Sequence, residues 1–137
     1  MAAIRDCIEA GTRVEFTFKS RIPGELEGCQ LHFKYFRKHQ LKYELDRLGW
    51  TNITIQNYIE ITSGFPLEIL NGLLLNQMYA SFERDLYQLS WQETPSEGVY
   101  LLNFYGAKQD FCIHATADEI RSFGHDFQLE WEEAPLS

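Results

Sequence analysis

The sequence predicts an α+β fold, with residues 1–137 forming one domain. An antiparallel or mixed sheet of about six strands would pack on one long helix and two shorter ones. Three observations carry this expectation. Several short stretches alternate apolar and polar side chains with the period of a half-buried strand. Other runs place their leucines at helical spacing. With 45% apolar and 15% aromatic residues over 137 positions, the chain can bury a core of its own.

The first element is residues 13–20, RVEFTFKS. Val14, Phe16 and Phe18 share one face and Arg13, Glu15 and Thr17 the other, as in a strand. The turn-rich IPGELEG leads into CQLHFKYF, residues 29–36, where Cys29, Leu31, Phe33 and Tyr35 share a face, so the two strands form a hairpin. The period then changes. Leu41, Leu45 and Leu48 recur at helical spacing and Gly49 suits the residue just past a helix end, which predicts a first short helix within 37–50.

In residues 51–62, TNITIQNYIEIT, four isoleucines alternate with polar residues, which predicts a strand. Pro66 suits the first turn of a helix, and Leu67, Leu70, Leu74 and Met78 form the stripe of the long one. Gly72 inside that run costs about 1 kcal/mol relative to Ala and marks close packing or a local break. Residues 86–92, 99–106 and 111–115 alternate again and read as a three-stranded meander. Thr116 and Glu119 have capping-box spacing, so a second short helix begins there, with Gly124 at its end. His125 and Asp126 would follow that end. Residues 126–133 close the chain as a strand whose EWEE acids keep its edge unpaired.

Net charge is −8 and unevenly spread. Residues 1–50 hold nine Lys/Arg against seven Asp/Glu, and residues 51–137 hold three against thirteen. An acidic surface argues against general nucleic-acid binding, which needs clustered cations for phosphates. No apolar run approaches the roughly 18 residues of a membrane span. The start, MAAIRDCIEAG, lacks a signal peptide's apolar region, so a cytoplasmic location is expected. Cys7, Cys29 and Cys112 are odd in number and widely spaced, which argues against a disulfide framework.

Residues 58–78, YIEITSGFPLEILNGLLLNQM, invite a helix-turn-helix alignment with Gly64 at the turn. Glu60 then stands where the two helices would touch, and no Lys or Arg occurs between Leu48 and Glu83 to meet phosphate or guanine. The segment reads instead as a strand-to-helix passage.

Two constellations carry chemistry. Cys112 and His114 lie two apart in a strand, so thiol and imidazole share a face, as a nucleophile and base require. A packed cysteine beside a hydrogen-bonded histidine is the simpler reading. Adding Cys29 and His32 would make four zinc ligands. That pair is three apart, however, which points it to opposite faces of a regular strand, so no metal is expected. The second constellation is HFKYFRKHQLKY, residues 32–43. There Lys34, Arg37, Lys38 and Lys42, with Phe36 and Tyr43, could hold a nucleic-acid strand by charge and stacking, or meet an acidic partner. Phosphate loops, HExxH and GxSxG are absent, and no cofactor is implied.

The expected function is therefore a small cytoplasmic protein-interaction or regulatory accessory domain, non-catalytic, with a protein partner or a second copy of itself in a homodimer. The alternative is a ligand-binding domain or enzyme with a pocket near Cys112 and His114. Single-strand binding by the 32–43 patch is the weaker third.

Overall fold

The computed structural model describes residues 1–80 and 82–137. A four-stranded antiparallel meander opens the chain: β1 Ala2–Arg5, β2 Arg13–Arg21, β3 Gly28–Arg37 and β4 Gln40–Thr51. Helix α1, Asn52–Ser63, follows directly. A two-stranded hairpin, β5 Glu68–Leu70 and β6 Leu73–Leu74, comes next. The second meander is β7 Gln77–Tyr79, β8 Gln88–Glu93, β9 Val99–Tyr105 and β10 Phe111–Thr116, and helix α2, Ala117–Glu132, follows it. The α+β class and the antiparallel pairing agree with the sequence. The count does not: two helices and ten strands in three sheets replace one six-stranded sheet with three helices.

The two meanders repeat one plan, four strands running straight into a helix, although the sequence shows no repeat. Each junction uses the same device. Thr51 accepts from the N–H of Thr54, and Thr116 from that of Glu119, so each threonine closes a strand and satisfies a first-turn donor of its helix.

Four expectations fail here, each for a local reason. Residues 40–51 form β4, not a helix. Lys38 and His39 both take positive φ, which makes a tight hairpin turn without the usual glycine. A register shift opposite Leu31 and Phe33 then puts two residues between Leu45 and Leu48, so a bulged strand imitates helical leucine spacing. Residues 52–63 form α1, not a strand. Its buried positions, among them Ile55, Tyr58, Ile59 and Thr62, follow the helical period, and tertiary packing overrides the β preference of the isoleucines.

The predicted long helix after Pro66 is the β5–β6 hairpin followed by β7. Asn71 and Gly72 both have positive φ at its turn, the conformation that an Asn–Gly pair favours. Finally, α2 runs through Gly124 to Glu132, so His125, Asp126, Glu130 and Glu132 belong to a helix, with Glu133 at its cap, and not to a terminal strand. Gly124 serves the crossing of the helices. A Cβ there would lie 2.5 Å from the backbone nitrogen of Ser63 and 2.5 Å from Thr62 Oγ1.

Both four-stranded sheets and both helices contribute to one hydrophobic cluster. Phe16 of β2 sits at its centre, with ring centroids 5.0 Å from Phe33, 5.6 Å from Trp50 and 5.5 Å from both Phe123 and Phe127. The sheets also touch directly, where Tyr35 stacks on Phe111 at 4.0 Å. Just beyond β1, Cys7 N donates to His114 O (2.8 Å), which ties the start of the chain to β10.

Candidate functional site

Because Ile113 and Ala115 point into the core, Cys112 and His114 point away from it. Cys112 is exposed, so the packed-cysteine reading is wrong. Both side chains line an open cleft of about 550 Å³ between the 6–12 segment, the outer ends of β3 and β4, and β10. Tyr35, Arg37, Lys42 and Asp6 share its walls.

Asp6 was not foreseen. Its carboxylate is almost fully buried and anchors the cleft. Oδ1 accepts from the N–H groups of Ile8 (2.7 Å) and Glu9 (2.8 Å), and Oδ2 accepts from that of His114 (2.9 Å). The same Oδ2 stands 3.9 Å from His114 Nδ1, too far for a hydrogen bond but directly across from the ring. Glu9 accepts from the Thr12 hydroxyl (2.6 Å) and from Arg37 Nε (3.2 Å), and these donors hold its carboxyl below the usual range.

The other two thiols differ. Cys29 is buried and donates to Asn52 Oδ1 (3.3 Å), and burial pushes its pKa up to about 11. Burial and the neighbouring Asp6 carboxylate also raise that of Cys7. Cys29 faces the core while His32 lies on the outer face of its sheet, so the two do not converge with Cys112 and His114.

The 32–43 segment is the β3–β4 hairpin, and its groups part company. Arg37 and Lys42 reach the cleft. Lys34 stands opposite Glu44 in the β3–β4 register, and Lys38 forms the turn. Phe36 lies under the Arg13 guanidinium, 4.0 Å from its carbon to the ring centroid, while Tyr43 packs edge-on against Phe33 and Phe111. Both predicted stacking rings therefore already have partners in the chain. His32 Nε2 contacts Glu44 (2.5 Å) and Asp46 (3.3 Å), an exposed cluster that places acids inside the basic patch.

A different surface stands out on β5–β7. From Ile69 to Phe82 there is no charged residue. Ile69, Leu70, Leu73 and Tyr79 are each more than half exposed, and Phe82 is fully so. Strand β7 is also the end strand of its sheet. Asn76 O accepts from Trp91 N (3.0 Å) and Ala80 N donates to Tyr87 O (2.8 Å). In an antiparallel ladder the backbone groups of Gln77 and Tyr79 then face the free side. The sequence signal was the long uncharged run, which the expected helix had absorbed as core. No helix among the described residues is long and apolar enough to cross a membrane. Comparisons with protein families, with characterised proteins and with solved structures find no match.

Proposed function

We propose that the chain is a non-catalytic protein-interaction domain of regulatory or accessory kind, acting in the cytoplasm as a homodimer through β5–β7. One observation carries the reading: an uncharged run of exposed apolar side chains sits on and beside an end strand with free backbone groups. Edge strands normally carry charge, proline or a cover, because open ladder groups recruit other strands. The sequence 69–82 carries neither charge nor proline, and among its described residues Ile69, Leu70, Leu73, Tyr79 and Phe82 are exposed apolar side chains of the kind found at contact surfaces.

The second copy is favoured by charge. Two chains of net charge −8 repel through most of their surfaces, and this stretch adds no charge to that repulsion. A two-fold axis would set β7 antiparallel to its mate and bring each apolar hairpin to the same interface. Sedimentation equilibrium tests this. A species near twice 16.1 kDa is expected, and L70D/L73D should return it to 16.1 kDa. A 16.1 kDa wild type at every concentration would overturn the homodimer.

A further inference from the structure

The cleft is independent of that surface, and its chemistry is more specific than shape. A thiol that reacts at neutral pH needs access, a place for its proton and a reason for a ligand to stop beside it. Cys112 has access, being exposed in the cleft wall. His114 is two positions along the same strand face and offers the proton acceptor. Asp6, fixed by three backbone N–H groups, stands on the Nδ1 side of that ring, 3.9 Å away, so Nε2 is the ring nitrogen not facing a carboxylate.

The ligand class follows from which charges in the cleft are already engaged. Asp6 is held by backbone donors, Glu9 by Thr12 and Arg37, and Asp110 accepts from Gly106 N (3.3 Å). The two cations keep spare donors. Arg37 commits Nε to Glu9, and Lys42 donates Nζ to the neutral Gln40 Oε1 (3.1 Å). The cleft therefore offers cationic donors to a ligand, while the Asp6 and Glu9 carboxylates are engaged by the protein and Asp110 is exposed.

We propose that the cleft is a thiol–disulfide exchange site, in which Cys112 forms a mixed disulfide with a small disulfide bearing carboxylates. The Cys112 proton passes to His114 and the thiolate attacks one sulfur of R–S–S–R. The ligand's S–S bond breaks as the Cys112–S–S–R bond forms, and the departing R–S⁻ takes the proton from His114 and leaves as R–SH. The ligand is the oxidant, and Cys112 is oxidised as one R–S group is reduced. Charge passes from sulfur to sulfur, so the step calls for no separate oxyanion pocket.

The other thiols serve as internal controls. Cys29 is buried with its pKa near 11, and Cys7 is raised by burial and by Asp6. The experiment exposes the whole chain at neutral pH to oxidised glutathione, which carries carboxylates, or to cystamine, which carries amines. Mass spectrometry then follows the adducts, and peptide mapping locates them. A single glutathione adduct on Cys112 is expected, forming faster than the cystamine adduct. H114Q should slow both reagents by about tenfold or more. R37Q/K42Q should lower the glutathione rate relative to the cystamine rate and so remove the preference for glutathione. Faster reaction at Cys7, or no adduct on Cys112, would overturn the exchange site. Equal rates with both disulfides in the wild type would overturn the acidic ligand class.

Discussion

Asp6 holds the backbone of His114 and faces its ring. The Asp6 carboxylate accepts the His114 backbone N–H at 2.9 Å and stands 3.9 Å from the Nδ1 of the same residue. One side chain therefore fixes the position of β10 against the start of the chain and the electrostatic setting of the imidazole. The neighbouring bond from Cys7 N to His114 O shows that this is a seam between the meanders as well as a cleft wall.

Replacing Asp6 with Ala removes the acceptor of three backbone N–H groups at once. A loss of about 2–4 kcal/mol is expected, because three hydrogen bonds to an almost fully buried, charged carboxylate are lost together. Urea denaturation measures it, and a loss under 0.5 kcal/mol, within the ordinary range for surface substitutions, would show that the seam does not depend on this residue.

Gly124→Ala separates helix propensity from packing. In an isolated helix alanine would be favoured by about 1 kcal/mol. Here the new methyl group would lie 2.5 Å from Ser63 N, so α1 and α2 must move apart and a net loss of about 1–3 kcal/mol is expected. A melting temperature above that of the wild type would contradict the close crossing.

Stability should fall on the alkaline side. Burial raises Cys29 from an ordinary value of 9.0 to about 11, and Tyr58, fully enclosed, is also raised from 10.0. The unfolded chain releases these protons first, so the Cys29 contribution is complete below pH 9 and is lost as pH climbs to about 11, while that of Tyr58 begins to fall only above pH 10. For Cys29 alone the loss is about 2–3 kcal/mol. Denaturation of C29A across this interval should give a flatter pH dependence than wild type, whatever its absolute stability. An unchanged slope would sink the assignment.

Strands were legible where one face is buried without interruption, as with Val14, Phe16 and Phe18 or with Ile113 and Ala115. They were hidden where a bulge shifted the phase, as between Leu45 and Leu48. In α1 the isoleucines fit two periods, and the helical one prevailed because Tyr58 and Thr62 are buried beside them. Gly124 read as a stop and proved to be a crossing point, a distinction that only the partner helix supplies. The placement of Cys112 and His114 on one face followed from local geometry. Asp6 did not, since 108 positions separate it from His114.

The hairpin should be tunable by size as well as by charge. Leu73→Ala removes an exposed apolar group from both copies of a two-fold interface, at a cost to association of about 2–4 kcal/mol in total. Leu73 is itself mostly exposed, so monomer stability should stay within about 0.5 kcal/mol of wild type. Dissociation constants from a dilution series, read with the melting curve of the dilute protein, check both parts. An unchanged dissociation constant would remove Leu73 from the interface.

Amide hydrogen exchange on β7 tests the homodimer most directly. The N–H groups of Gln77 and Tyr79 face the free side of the sheet in one copy and would be bonded across the two-fold axis in a pair. Their exchange should slow as protein concentration rises, while the already paired Met78 and Ala80 change little. Fast exchange at Gln77 and Tyr79 at every concentration would show that β7 meets no second copy.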